Sequence, residues 1–386
     1  MFDSAPVQVM FVGNDFDYFL SHRLPLASAL VSRGWRVWAM LPVPHDPRQV
    51  AALESAGIRI VPYRFRRGGL NPLFEVRTWR DMWEAYGRIR PDVVHHLTVK
   101  PVLYGGVIGR LKGIPVRIHA LLGLGHLFYA RGWVVGLLRV GLGPLFRYAL
   151  GGAGSRVIVQ NPDDLEVIRA RNLISRINGA TTIIRGSGVD PDSYLAAPRE
   201  TEPPVVLFAG RLTQAKGIED FVAAARILTH AGTRARFVIC GGVDASNPGG
   251  VRPSQMRAWQ AEGVVEWLGY RTDMRGVLAE AALVVLPSRY GEGVPKILIE
   301  AAAAGRPVVT TDAPGCREIV VHGVTGLVVP VQCPPQLAAA IETLLSDPDK
   351  RREMGRAGRS LVEREFATSH VVRRTLAVYD EALGVR

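Results

Sequence analysis

The stretch that decides the fold covers residues 205–217 and reads Val205-Val206-Leu207-Phe208-Ala209-Gly210-Arg211-Leu212-Thr213-Gln214-Ala215-Lys216-Gly217. Its five apolar residues predict a buried strand, and Gly210 allows a close turn before a helix over about 217–231. Helix amides together with the cations Arg211 and Lys216 form a suitable site for a diphosphate. On spacing alone, a glycine turn with two solvated cations accounts for these residues equally well.

On both sides of this stretch, apolar runs of strand length alternate with helical patterns. The predicted strands lie at 7–12, 36–41, 58–61, 93–96, 116–119 and 156–159, and then at 205–210, 235–240, 264–268, 283–286 and 307–311. Helices are predicted near 24–34, 47–56 and 300–304, from about Pro334, and around Val371–Leu383. This alternation predicts an α/β protein with two doubly wound parallel sheets, divided near 188–204. We expect the two domains to face each other across a cleft.

The charge of the chain is unevenly distributed. Its 386 residues carry 47 Lys and Arg against 35 Asp and Glu, a net charge of +12. Residues 1–190 hold 24 basic and 13 acidic side chains, a difference of +11, and the remaining 23 and 22 differ by +1. No acidic residue occurs from Val93 to Pro162, where the basic residues are Lys100, Arg110, Lys112, Arg117, Arg131, Arg139, Arg147 and Arg156. The pattern predicts an anionic membrane surface or an anionic ligand.

A general bias toward arginine or a nucleic-acid partner would also produce a basic half. A bias alone would not spare the second half. No helix-turn-helix, zinc-finger or RNP pattern is present, so we expect no nucleic acid. No run of about 18 apolar residues predicts a transmembrane helix, and Met1-Phe2-Asp3-Ser4 lacks the positive start of a signal peptide. The expected location is cytoplasmic, with peripheral association at the inner face of the cell membrane.

A second polar segment reads Pro287-Ser288-Arg289-Tyr290-Gly291-Glu292-Gly293-Val294-Pro295-Lys296-Ile297-Leu298-Ile299-Glu300-Ala301. The loop amides at Gly293 and Val294 precede a helix and can bind an anion. A carboxylate such as Glu300 can accept both hydroxyls of a ribose. Two glutamates eight residues apart are common by chance, so the context supports this interpretation more than the spacing does.

Four segments, taken in order, resemble the retaining glycosyltransferases of the GT4 family, which have the GT-B fold. They are the two segments quoted above, then Gly315-Cys316-Arg317-Glu318, and then Gly323-Val324-Thr325-Gly326-Leu327-Val328-Val329-Pro330. In the first half, Phe19–Ala27, His95–Gly106 and Leu122–Phe128 resemble the bacterial subgroup that extends polyprenyl-diphosphate-linked glycans, such as N-acetylgalactosaminyltransferases. The resemblance implies an acceptor domain over 1–190, a donor domain over 191–365, and a helix over 366–386 that returns to the first domain.

The resemblance also implies roles for the matching residues. Arg211 and Lys216 would neutralise the donor diphosphate and act in catalysis together with Glu292 near the sugar. Gly13, Gly293, Val294 and Glu300 would contact the donor, with Glu300 on the ribose. Lys100, Lys112, Arg131, Arg139 and His126 would face the acceptor or the membrane. The resemblance implies no metal and no cofactor, because two side-chain cations take the place of a metal and the donor is a nucleotide diphosphate sugar, expected to be a UDP-sugar.

Two departures from the family pattern concern the first loop and the hinge. The first loop has only Gly13-Asn14 where many relatives have two glycines, and the hinge reads Gly186-Ser187-Gly188-Val189-Asp190. Many relatives place a histidine near the sugar. Here His119, at the end of its predicted strand, is the first candidate and His126 the second, although a lone histidine is more often structural.

The resulting hypothesis is a metal-independent, retaining hexosyltransferase that moves an N-acetylhexosamine onto a polyprenyl-diphosphate-linked saccharide in cell-surface glycan assembly. The alternatives are a nucleotide-sugar epimerase of the GT-B fold, a transferase with a soluble acceptor, and a non-catalytic polysaccharide-binding protein. The presence together of Arg211, Lys216 and Glu300 disfavours the last of these. The oligomeric state is left open.

Overall fold

The computed structural model describes residues 5–43, 46–66, 71–124, 133–174, 180–194, 201–243 and 249–384, with backbone only for 133–140 and 180. It divides into two compact units. The N-terminal unit comprises Met1–Ser187 and Val371–Arg386, and the C-terminal unit comprises Gly188–His370.

The N-terminal unit is built on a parallel sheet of seven strands in the order β3-β2-β1-β4-β5-β6-β7. The strands are β1 (Gln8–Val12), β2 (Arg36–Pro42), β3 (Ile58–Tyr63), β4 (Val93–Leu97), β5 (Val116–Leu121), β6 (Ser155–Val159) and β7 (Ala180–Ile183). The chain moves outward from β1 to β3 and then returns to β4 on the other side of β1. The ends of β1 and β4 therefore form the topological switch point, where open α/β sheets bind ligands.

Helices cover this sheet, and the C-terminal helix is one of them. They are α1 (Phe16–His22), α2 (Leu24–Ser32), α3 (Pro47–Ser55), α4 (Pro72–Ile89), α5 (Val99–Leu111), α6 (Trp133–Leu150), α7 (Pro162–Ala170) and α14 (Thr368–Leu383). Helix α14 places Val371, Leu376 and Tyr379 in the same buried cluster as the β1 side chains. The Tyr379 hydroxyl lies 2.7 Å from Nδ1 of His95 on β4. The predicted return of the last helix to the first domain is thus confirmed.

The C-terminal unit is built on a second parallel sheet of six strands in the order β10-β9-β8-β11-β12-β13. The strands are β8 (Val205–Ala209), β9 (Arg236–Cys240), β10 (Glu266–Trp267), β11 (Ala281–Leu286), β12 (Val308–Thr311) and β13 (Gly326–Val329). Its helices are α8 (Ile218–His230), α9 (Pro253–Ala261), α10 (Met274–Glu280), α11 (Lys296–Ala303), α12 (Pro334–Leu345) and α13 (Pro348–Leu361). Its switch point lies between β8 and β11, which are adjacent and parallel.

Several element boundaries differ from those predicted. Strand β10 has only two residues, fewer than predicted, and pairs only with β9 at the edge of the sheet. Strands β7 and β13 were not predicted, since β7 contains two threonines and β13 begins with a glycine, so neither is a continuous apolar run. Helix α11 starts at Lys296, directly after Pro295 at its N-cap, which agrees with the predicted helix start after Gly293 and Val294. Among the described helices, none has the length and apolar character needed to cross a bilayer.

Candidate functional site

The strongest candidate site lies at the switch point of the C-terminal unit. Arg211 and Lys216 follow β8, and Glu292 and Glu300 follow β11. Because β8 and β11 are parallel neighbours, the two segments leave the same edge of the sheet side by side. The fold therefore brings together the two motifs that the sequence singled out, although 76 residues separate Lys216 from Glu292.

Close backbone contacts fix the two loops against each other. Gly217, with φ 71°, packs so tightly that a Cβ added there would lie 1.8 Å from the carbonyl oxygen of Pro287. The amide of Arg289 donates to the carbonyl of Ala215 at 2.9 Å. The Arg289 guanidinium also pairs with Asp220 in the first turn of α8. The loop after β11 is thus held to the start of α8 at several points.

Lys216 and Glu292 form an ion pair in this site. Their side chains are 15% and 21% exposed, so the pair is shielded but can be reached from solvent. The Ser288 hydroxyl donates to the other oxygen of the Glu292 carboxylate. The pKa of the Cys316 thiol is raised to about 12, mainly by burial and to a smaller extent by the negative charge of Glu292, so this cysteine is neutral. The carboxylate of Glu292 is therefore oriented from two sides.

Glu300 is the second carboxylate of the site and lies on α11. The residue is 9% exposed. Its Oε1 lies 3.3 Å from Nζ of Lys296, one turn earlier in the helix. The Tyr194 hydroxyl donates to the same carboxylate, and burial together with Glu300 raises the pKa of this tyrosine. The Glu300 carboxylate is thus held in place by these contacts.

Arg211, Gly293 and Val294 complete the predicted donor residues. Arg211 is exposed and forms no ion pair with a described residue. Gly293 and Val294 are buried and lie just before α11. Across the described ranges, no group of three His, Cys, Asp or Glu side chains is arranged to hold a metal ion.

Comparisons with known proteins show the family of this chain. The family model for glycosyl transferases group 1 matches residues 203–347, and that for glycosyl transferase 4-like domains matches residues 8–161. A glycogen synthase of Mycobacterium tuberculosis is 30% identical, with 75% of this chain and 69% of the relative covered. The chain belongs to the GT4 glycosyltransferases. It is a glycosyltransferase.

Other similar proteins cover nearly the whole glycosyltransferase. The N,N'-diacetylbacillosaminyl-diphospho-undecaprenol alpha-1,3-N-acetylgalactosaminyltransferase of Campylobacter jejuni is 25% identical over 95% of this chain and 98% of the relative. Anabaena HepE, solved with UDP and glucose, superposes with a TM-score of 0.77 at 19% identity, over 97% of this chain and 100% of that one. These likenesses confirm the predicted GT-B fold, with two parallel-sheet domains.

In the N-terminal unit of the glycosyltransferase, Gly13 directly follows β1 at the switch point. Its amide donates to the carbonyl of Met40 at 3.0 Å. Its own carbonyl accepts a hydrogen bond from the Tyr63 hydroxyl at 2.7 Å. A Cβ at this position would lie 2.9 Å from the Leu41 side chain. Gly13 is therefore a tightly packed turn residue, and its contact with the donor stays a prediction.

The structure places His119 inside β5, two residues before the strand ends, which corrects the expectation that it ends its strand. The ring is fully buried. Nδ1 of His119 lies 3.2 Å from Nδ1 of His96, whose Nε2 lies 2.8 Å from the Tyr86 hydroxyl. Burial lowers the pKa of His119 to about 3. A neutral, buried ring is typical of a histidine with a structural role. The role of His119 near the sugar stays a prediction.

The predicted acceptor or membrane cations have different surroundings. Nζ of Lys100 lies 2.6 Å from the carboxylate of Glu75. Glu75 precedes the acid-free stretch in sequence, and it neutralises the charge of this lysine. Arg117, in the same stretch, is 5% exposed and donates to backbone carbonyls. Nζ of Lys112 lies 3.8 Å from the ring centroid of Trp83. His126, Arg131 and the side chain of Arg139 lie outside the described residues.

Three residues of interest were not predicted from sequence. Ser288 orients Glu292, and the Leu-Pro-Ser run that precedes the loop was a usable signal for it. Tyr194 contacts Glu300 from a segment far from it in sequence, so spacing held no signal. Thr98, the first residue after β4, adopts φ 72°, which is rare for a β-branched residue and often marks a functional position.

The buried histidines predict that the N-terminal unit is sensitive to acid. Burial lowers the pKa of His95, His96 and His119, so the folded chain leaves these imidazoles neutral. The unfolded chain protonates them below about pH 6.5. The free energy of unfolding therefore falls as the pH drops below that value, by about 2 kcal/mol per histidine at pH 5.

Calorimetric melting at pH 7.5 and pH 5.0 measures this loss. We expect the midpoint of the N-terminal unit to fall at pH 5.0, and to fall less in His119→Gln, which removes one of the three sites. The exposed His230 offers a matched control, because His230→Gln should keep the full pH dependence. Equal midpoints at the two pH values would contradict the neutral, buried state of the imidazoles.

Proposed function

We propose that this glycosyltransferase moves an N-acetylhexosamine from a UDP-sugar to a polyprenyl-diphosphate-linked saccharide, with retention of anomeric configuration. The ion pair of Lys216 with Glu292, with the exposed Arg211 five residues earlier in the same loop, is the observation that carries the donor half of the proposal. Similarity over 95% of the chain to an enzyme named for a diphospho-undecaprenol acceptor and N-acetylgalactosaminyl transfer supports the acceptor and the sugar.

In this proposal the donor diphosphate lies against Arg211 and Lys216. The lysine ammonium has three donors, so it can bond a phosphate oxygen while it stays paired with Glu292. Glu300 accepts hydrogen bonds from both ribose hydroxyls, because Tyr194 and Lys296 hold its carboxylate in one orientation. The amides of Gly293 and Val294 lie near the sugar hydroxyls or the phosphate.

The transfer step forms one bond and breaks one bond at the anomeric carbon. The acceptor oxygen attacks from the face that the diphosphate leaves, and the bond between the anomeric carbon and the phosphate oxygen breaks. The proton of the acceptor hydroxyl passes to the departing phosphate. Arg211 and Lys216 stabilise the negative charge that develops there, which is the main electrostatic contribution to such a step. The two side-chain cations supply this charge, so we propose that the step is metal-independent.

The location proposed for the enzyme follows from its acceptor. A polyprenyl-linked saccharide is held at a membrane, whereas a nucleotide sugar is water-soluble. An enzyme that joins them works at the boundary between the two phases. We therefore propose peripheral association with the inner face of the cell membrane.

Donor binding predicts a thermal shift that is selective for UDP-sugars. A ligand that binds only the folded state at 100 times its Kd adds about 2.7 kcal/mol of stability. For a unit of this size that raises the melting midpoint by about 5–10 °C. A panel of UDP-, GDP- and ADP-sugars, read by differential scanning fluorimetry, should show this rise for UDP-N-acetylhexosamines.

The Glu300→Ala variant is the matched control for this panel. It removes a charged acceptor, which is worth about 1.5–3 kcal/mol, so we expect Kd to rise about 10- to 150-fold. Transfer to a polyprenyl-diphosphate-linked acceptor then tests the second half of the proposal. Consumption of the UDP-sugar that is equally fast without any acceptor would contradict transfer and favour isomerisation or hydrolysis.

A further inference from the structure

The outer face of α4 in the N-terminal unit exposes three large apolar side chains. Leu73 is 77% exposed, Val76 is 66% exposed and Trp83 is 43% exposed. At about 100° per residue, these three positions fall within about 80° of the helix circumference. Helices on protein surfaces normally carry polar residues on their outer face. An apolar sector of this kind marks an interaction surface.

Helix α4 is firmly attached to the unit, although this face is exposed. Its opposite face is buried through Met82, Ala85, Tyr86 and Ile89. Its start is capped by Asn71, whose side chain accepts from the amide of Leu73 at 3.1 Å. The helix is therefore anchored, and the exposed side chains belong to a preformed surface.

Cations border the apolar sector. Arg77 and Arg88 are exposed on the same helix, and no described carboxylate pairs with either of them. Arg80 lies within the sector itself and pairs with Glu84, the one exposed carboxylate on this helix. Nζ of Lys112, from the end of α5, lies over the Trp83 ring. The surface thus combines apolar side chains, an interfacial tryptophan and an excess of positive charge.

We propose that α4 docks this glycosyltransferase on an anionic membrane. Leu73, Val76 and Trp83 enter the boundary between headgroups and acyl chains, where tryptophan is favoured. Arg77, Arg88 and Lys112 contact lipid phosphates. The inference rests on the proposed lipid-linked acceptor, which a docked enzyme can reach. The proposed membrane contact therefore lies on α4 rather than on the acid-free stretch, because Lys100 and Arg117 of that stretch already bind groups inside the unit.

A second copy of the chain fits this face less well than a membrane does. A two-fold contact would bring the same patch of each chain together, so Arg77 and Arg88 would meet their own copies. Like charges at close range oppose such a contact. An anionic lipid surface satisfies the cations and the apolar sector together.

Vesicle flotation with the full chain tests the proposal. The wild type should float with vesicles of equal parts phosphatidylglycerol and phosphatidylcholine, but not with phosphatidylcholine alone. We expect Leu73→Ser/Val76→Ser/Trp83→Ser to lower the bound fraction at least tenfold, and Arg77→Ala/Arg88→Ala to lower it at low salt and to reduce its salt dependence. The matched control is Ile227→Ser/Tyr270→Ser/Val324→Ser, which removes three exposed apolar side chains of the C-terminal unit and should float like the wild type.

Two further measurements separate this proposal from the proposed function. Transfer to a detergent-solubilised acceptor should be unchanged in the α4 variants, because α4 carries none of the donor residues. Flotation of the α4 variants at the wild-type level would overturn the docking surface, as would a wild type that transfers sugar but never floats. A wild-type dimer, detected by light scattering, that the α4 variants abolish would assign the face to a second copy and also overturn the proposal. Loss of transfer in every chain, with flotation intact, would count against the proposed function alone.

Discussion

Substitution of Lys216 by alanine is expected to reduce sugar transfer by about 100- to 1,000-fold, the loss seen when one preorganised donor is removed from a developing negative charge. Lys216 is held beside Glu292 by the close approach of the loops after β8 and β11. Its ammonium group therefore needs no rearrangement to meet a leaving phosphate. Initial rates at saturating UDP-sugar and acceptor measure the effect.

The fold should survive this change, and two variants check it. Lys216 is 15% exposed and its partner Glu292 keeps the Ser288 hydrogen bond, so the melting midpoint should stay within a few degrees of the wild type. Lys350→Ala, on the surface helix α13, removes a lysine of the same unit far from the site in sequence and should leave the rate unchanged. Near-normal turnover in Lys216→Ala would remove the basis for the proposed donor site.

Replacing Gly315 by alanine is expected to disrupt the loop that carries Glu292. Gly315 has φ 86°, and a Cβ added there would lie 1.6 Å from the carbonyl oxygen of Gly293 and 2.6 Å from that of Glu292. Both obstacles are backbone atoms, so a side-chain rotation cannot relieve the clash. Strain in the left-handed region and overpacking together cost about 2–5 kcal/mol. We also expect transfer to fall by at least about 100-fold, because displacement of a catalytic group by about 1 Å is enough for that loss.

Gly323 offers a matched control for this prediction. It also has a positive φ, 78°, but a Cβ there would have no heavy atom within 4 Å. Gly323→Ala therefore carries the backbone strain without the clash and should cost about 1–2 kcal/mol. Denaturant unfolding of the C-terminal unit and initial transfer rates should separate the two variants. Equal losses in both would show that the contact with Gly293 has no special role.

Local patterns predicted most of the fold. A strand such as Val205–Ala209 is apolar throughout because both faces of a parallel sheet are covered, and that signal lies within a few residues. The last helix showed apolar residues at helical spacing, which required a partner surface. The edge strand Gly326–Val329 was missed, since it begins with a glycine and is not a continuous apolar run. The order of the motifs along the chain added the family, and with it the expected roles of Arg211, Lys216 and Glu300.

The sequence by itself determined the two α/β units, the placement of the candidate donor residues after strands, and the excess charge of the first half. Only the tertiary structure decided which charges meet. It paired Lys216 with Glu292, neutralised Lys100 with Glu75, and buried His119. It also left Leu73, Val76 and Trp83 exposed on α4. The physical reason is that strand and helix formation depends on neighbours in sequence, whereas pairing and exposure depend on groups brought together from distant parts of the chain.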